Sequence, residues 1–162
     1  MNNDLRDELI TLMSNYEPQV CGDCQVKIIA NCAKFINNVS YMTEIKKLLD
    51  LFFIDTTTFN FFVELPKITQ VIIDYYKNNI ITLSKDIDPD HMKFIIYGVL
   101  YSYLDNFQST TLNTINGGDF RIAFINVLSI LFVKSKSIKI NKLSLFGALF
   151  NCICGDDGKI KL

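Results

Sequence analysis

The sequence predicts an all-α protein, a bundle of about seven helices around a central hydrophobic hairpin, and three observations carry that expectation. Apolar residues recur at steps of three and four through most of the chain, the period of a helix with one buried face. Two segments, 88–104 and 119–133, are apolar on nearly every side yet only about 15 residues long, short of the roughly 20 needed to cross a bilayer. The one stretch that reads as a strand, Ile80-Ile81-Thr82-Leu83, has no second strand to pair with. At 162 residues the chain is read as one domain spanning 1–162, long enough to bury a core.

Taken in order, Leu5, Leu9, Leu12 and Tyr16 form one stripe of a first helix that Pro18 ends. A second helix over 25–37 turns Ile28, Ile29, Cys32, Phe35 and Ile36 inward and Lys27 and Lys34 outward. Ser40 is placed to cap a third, with Met42, Ile45, Leu48, Leu49 and Phe52 as its stripe and Lys46, Lys47 and Asp50 on its wet face. The β-branched run around Thr56-Thr57-Thr58 interrupts the helices. A fourth follows over 65–77, with Pro66 in its first turn and Leu65, Ile68, Val71, Ile72 and Tyr75 inward.

The central helix is expected to open at Asp88-Pro89-Asp90, an acid cap followed by proline, and its partner at Gly117-Gly118 with Asp119 as cap. Gly98 and Ser102, four apart on an otherwise bulky helix, offer a neighbouring helix a close approach. Residues 134–142 read as a loop or frayed end, and 142–154 as a last apolar helix that Gly155-Asp156-Asp157-Gly158 stops.

Composition excludes several classes of function. Net charge is -1 and the 16 basic residues are dispersed, so the electrostatic footprint of a nucleic-acid binder is missing. Asp4, Asp7 and Glu8 stand where a secretory signal needs basic and then apolar residues. Five cysteines, an odd number set mostly among apolar residues, suit a reducing compartment.

Enzyme chemistry is not expected. The single histidine, His91, has no obvious acid partner, and nucleophile systems that need a histidine would rest on it alone. Gly117-Gly118-Asp119 lacks the spaced glycines and the lysine of a phosphate cradle and reads as a helix cap. Cys21-Gly22-Asp23-Cys24 has the spacing of a redox or zinc pair, which Cys152-Ile153-Cys154 would complete as a four-thiolate site. The second pair is too tightly spaced for a usual structural zinc site, so buried or idle thiols are the expectation and no cofactor is assigned.

Several stretches, in order, resemble the Bcl-2 fold and in particular poxviral apoptosis inhibitors of the myxoma-virus type. Asp23-Cys24-Gln25 with Asn31-Cys32-Ala33-Lys34-Phe35-Ile36-Asn37-Asn38 is similar to that family's second helix. Leu48-Leu49-Asp50-Leu51 is similar to its next helix, and Asp88-Pro89-Asp90-His91-Met92-Lys93 looks like the start of its central helix. The order extends from Leu5 to about Val133 with sparse identities. The Asn-Trp-Gly-Arg stretch of cellular relatives is absent, since the chain has no tryptophan; Asn116-Gly117-Gly118-Asp119-Phe120-Arg121 echoes it too near the end of the chain.

The resemblance implies a Bcl-2-like bundle whose hydrophobic groove captures BH3 helices of pro-apoptotic host proteins of the Bak, Bax and Bim type, blocking mitochondrial permeabilisation. The walls would be Ile45, Leu48, Leu49 and Phe52 on one helix and Ile68, Ile72 and Tyr75 on another. Phe94 and Tyr97 would form the floor, and Lys93 would face the ligand aspartate as a point charge rather than a bidentate fork. The alternative within the fold is a closed groove and an outer surface that modulates innate immune (NF-kappa-B) signalling. The segment 143–154 is too short for the family's terminal anchor, which leaves two alternatives: an anchor removed from this sequence, or action from the host cytoplasm with or without peripheral association at the mitochondrial outer membrane. Monomer and homodimer both stay open.

Overall fold

The computed structural model describes residues 1–55, 57–79, 88 and 91–138, with side chains as far as 131. The described residues form α1 (Asn3–Tyr16), α2 (Gly22–Ile36), α3 (Val39–Asp50), a single 3-10 turn (Leu51–Phe53), α4 (Phe61–Asn79), α5 (Met92–Phe107), α6 (Ser109–Thr114) and α7 (Gly117–Ile138). No strand occurs among them, and the chain is an all-α bundle. The expected helix over 142–154, the Ile80–Leu83 stretch and the Pro89-Asp90 opening lie outside the described residues.

Asparagine starts four of the helices. Asn2 Oδ1 accepts from the Leu5 amide at 2.9 Å, and Asn38 Oδ1 from Tyr41 at 3.0 Å. Asn60 Oδ1 accepts from Phe62 and Val63, and Asn116 Oδ1 from Gly118 and Asp119. Each satisfies amides that have no partner inside the first turn. Asn38 therefore replaces Ser40 as the cap of α3, and Asn116 replaces Asp119 as the cap of α7. Because Asn60 caps α4, that helix begins four residues before the expected Leu65 and carries Pro66 inside it. Before Asn60, the Asp55 carboxylate accepts from the Thr57 amide at 3.0 Å and from the Thr57 and Thr58 hydroxyls, a local turn that ends the preceding helix.

α5 is the axis of the bundle. Of its 16 residues, 11 are buried, on every side of the helix, and it packs against α1, α2, α3, α4 and α6. α1 runs antiparallel to it, as Glu17 meets Lys93, Glu8 meets Tyr97 and Asn2 meets Asp105. α2 comes closest. A Cβ built on Gly98 would lie 2.3 Å from Cys32 Sγ, so the absence of a side chain sets the separation of these two helices. Cys32 is sealed behind Gly98, and burial pushes its thiol pKa up to about 12.

α7 differs from the expectation of a second enclosed helix. Phe120, Phe124 and Leu128, at steps of four, turn inward, while Ile122 is 51% exposed on the opposite face. It meets α5 through bulky rings: Phe120 stacks on Tyr97 at 5.1 Å and Phe124 meets the same ring edge-on at 5.0 Å. It also continues to Ile138, through residues read as a loop. The short α6 falls in the segment read only as a polar link.

Two measurements test this packing. Gly98→Ala should lower stability by about 1–3 kcal/mol in urea unfolding, the cost of overpacking a tight core, and Cys32→Ala in the same chain should recover most of that loss. The second concerns Asp50, whose carboxyl is pushed up by burial but more than compensated by hydrogen bonds from Lys46 and Tyr103, which hold it below the ordinary carboxylate range. A depressed carboxyl contributes stability above its unfolded pKa of about 3.9 and loses it as pH falls through the lower folded value. Unfolding midpoints measured from pH 5 down to pH 2 should therefore fall less steeply for Asp50→Asn than for the parent.

Candidate binding surface

The residues expected to make a groove divide into two sets. Ile45, Leu49, Ile68, Ile72, Phe94 and Tyr97 are completely enclosed in the core. They hold α3, α4 and α5 together, so the expected walls and floor are closed against solvent in this structure. Leu48, Phe52, Tyr75 and Lys93 reach the surface to different degrees.

α3 explains the division. Its inward stripe is Met42, Ile45 and Leu49. One position along, Leu48 is 39% exposed, and Leu51 and Phe52, three and four residues further on, continue the same edge into the 3-10 turn. Leu51 is 67% exposed and Ile54 76%. The expected single stripe is thus two adjacent stripes, one packed and one open. Leu51 and Ile54 were missed although the three-and-four spacing from Leu48 contains the signal for Leu51.

Tyr75 belongs to a separate aromatic group. Its ring lies edge-on to Tyr41 at 6.4 Å and to Phe35 at 6.2 Å, joining the ends of α2 and α4 to the start of α3. Burial and then the nearby Glu44 carboxylate raise its phenol pKa.

Lys93 already has partners within the bundle. Its ammonium pairs with Glu17, the residue after α1, and lies 5.3 Å from the centre of the Phe94 ring. Four residues on, Tyr97 turns toward α1 and α7, away from the expected floor. Its hydroxyl donates to Glu8 Oε2 at 2.6 Å, and Arg121 Nε donates to the same oxygen at 3.1 Å while its second nitrogen pairs with Oε1. Burial, followed by the bond to Glu8, raises the Tyr97 pKa strongly, and the Glu8 bond raises that of Arg121. Arg121, the arginine of the Asn116-Gly117-Gly118 echo, therefore serves to tie α1 to α7.

A cleft of about 260 Å³ opens between the start of α1, the end of α2 and the last turns of α5. Asn2, Asn37, Ser102, Asp105 and Asn106 supply its polar groups, and Asn2 donates to Asp105 at 3.1 Å. Met1 and Tyr101 also line it, and it holds one carboxylate and no histidine or thiol. His91, just before α5, lies 6.3 Å from the Phe94 ring, centre to centre. Cys21 and Cys24 are in contact, whereas Cys152 and Cys154 lie outside the described residues. Among the described residues no group of three histidine, cysteine or acidic side chains is placed to hold a metal ion.

The Lys93–Glu17 pair has a direct test. Lys93→Glu sets two carboxylates together where α1 meets α5 and should lower the urea midpoint by the equivalent of about 1 kcal/mol. The swapped pair Lys93→Glu with Glu17→Lys should regain most of it, whereas a lysine held only by the Phe94 ring would show no such recovery.

No protein family, no curated protein and no solved structure was found to match the chain.

Proposed function

We propose that this chain is a non-catalytic, Bcl-2-like viral module that captures an amphipathic BH3 helix of a pro-apoptotic host protein and so restrains mitochondrial permeabilisation. The observation that supports this reading is the exposed pair Leu48 and Leu51, with the half-buried Phe52 next to them, beside the packed stripe of α3. An exposed run at steps of three and four is the complement of a ligand helix with the same spacing. Partners of the Bak, Bax and Bim type come with the resemblance of the α2, α3 and α5 sequences, as does action in the host cytoplasm or at the mitochondrial outer membrane. Among the described residues no helix is long and apolar enough to cross a membrane.

The enclosure of Ile45, Leu49, Ile68 and Ile72 favours a second reading, in which the interior stays closed and the outer surface modulates innate immune signalling toward NF-kappa-B. Calorimetric titration with a panel of BH3 peptides separates the two. Helix capture predicts micromolar or tighter binding to at least one peptide, weakened about tenfold or more by Leu48→Asp and by Leu51→Asp with unchanged circular dichroism and melting. Absence of binding across the panel at micromolar protein would refute capture and leave the closed reading.

A further inference from the structure

We propose that Cys21 and Cys24 form a thiol–disulfide exchange site at the N-terminus of α2, oxidised by a small-molecule or protein disulfide to an intramolecular Cys21–Cys24 disulfide. The two sulfurs are in direct contact across the first turn of α2, which places the side chains for a disulfide. Cys21 is the cap residue of α2, and its sulfur accepts from the Cys24 amide at 3.2 Å. That amide and the positive end of a 15-residue helix favour negative charge on Cys21.

The two thiols are also unequal. Hydrogen bonds from the Cys24 thiol and then the Cys24 amide lower the Cys21 pKa, while that of Cys24 is raised by its bond to Cys21. Cys21 is exposed and Cys24 half-buried, the order expected of an attacking and a resolving thiol. Two sulfurs supply half of a tetrahedral metal site, and Cys152 and Cys154, the pair that would complete it, lie outside the described residues.

The chemistry balances without a further reactant. The Cys21 thiolate attacks one sulfur of the incoming disulfide, forms a mixed disulfide and expels the first thiolate, which takes up the proton that Cys21 released. Cys24 then gives up its proton and attacks Cys21 Sγ; the mixed disulfide breaks and the second thiolate leaves as a thiol. Two protein thiols are oxidised and one disulfide is reduced to two thiols.

Peptide mapping of the full chain tests this, because trypsin places Cys21 and Cys24 on the peptide 7–27, apart from Cys32 and from Cys152 and Cys154. After exposure of the reduced native protein to oxidised glutathione and an acid quench, that peptide should have lost two hydrogens, and the Cys32 peptide should remain reduced. Cys24→Ser should instead accumulate glutathione on Cys21, and Cys21→Ser should slow the reaction of Cys24 by about tenfold or more. Stable glutathione adducts on the parent peptide without ring closure, or a peptide 7–27 no more oxidised than that of Cys32, would overturn the proposal. So would a Cys21→Ser variant that reacts as fast as Cys24→Ser.

Discussion

A helix buried over most of its length has little water to satisfy its polar groups, and that constraint on α5 organises the rest of the bundle. Tyr97 carries its hydroxyl to Glu8, and Tyr103 donates to Asp50 at 2.8 Å. Asn106 Nδ2 covers the Ser102 carbonyl at 2.9 Å, and Lys93 finds Glu17. An unpartnered hydroxyl in such a place costs on the order of 1–3 kcal/mol, so each bond fixes where a neighbouring helix must set its acid. Glu8 and Glu17 fix α1, and Asp50 fixes the end of α3. Arg121 then closes the Glu8 carboxylate and brings in α7. Gly98 supplies the steric half of the same constraint by letting Cys32 and α2 lie against the helix.

Under the proposed helix capture, the same enclosure would decide where a partner helix docks. Parting α3 from α4 would bring Ile45, Leu49, Ile68 and Ile72 to water at about 1.5–3 kcal/mol each. The sum, about 6–12 kcal/mol, is comparable to the roughly 8 kcal/mol of a micromolar complex. Opening would thus consume most of what a BH3 helix gains unless ligand side chains refilled the vacated space. Docking on the edge exposed at Leu48 and Leu51 would avoid that cost. Leu48 and Phe52 are therefore better placed than Ile45 and Leu49 to contact a ligand, though all four were expected to act together.

Local periodicity made much of the fold legible. Leu5, Leu9 and Leu12 are buried as their spacing requires, and α5 is enclosed as its uniformly apolar composition requires. The same composition misled for α7, because apolar character on every side states what a helix tolerates, while its place at the margin of the bundle decides what it buries. Caps were misplaced wherever two capping residues stood close together: Asn38 beside Ser40, and Asn116 beside Asp119. Only the backbone shows which one precedes the first turn. Lys93 was illegible for a different reason. Its partner is 76 residues away, and nothing local to either residue announces that α1 and α5 run antiparallel.

The cysteines of α2 show how one helix can hold thiols of opposite character. Cys32 lies in its second half, pressed against Gly98 where water is excluded, and its raised pKa keeps it protonated and inert. Cys21 stands at the other end, outside the first turn, where unpaired amides favour the thiolate and solvent has access. Cys24 bridges the two settings, since it touches Cys21 and also packs against the core. The axial position of a thiol on the helix therefore sets its reactivity. Because α2 is the helix held most closely to α5, a bond closed at its N-terminus would be formed on a rigid support, with the interior thiol out of reach of exchange.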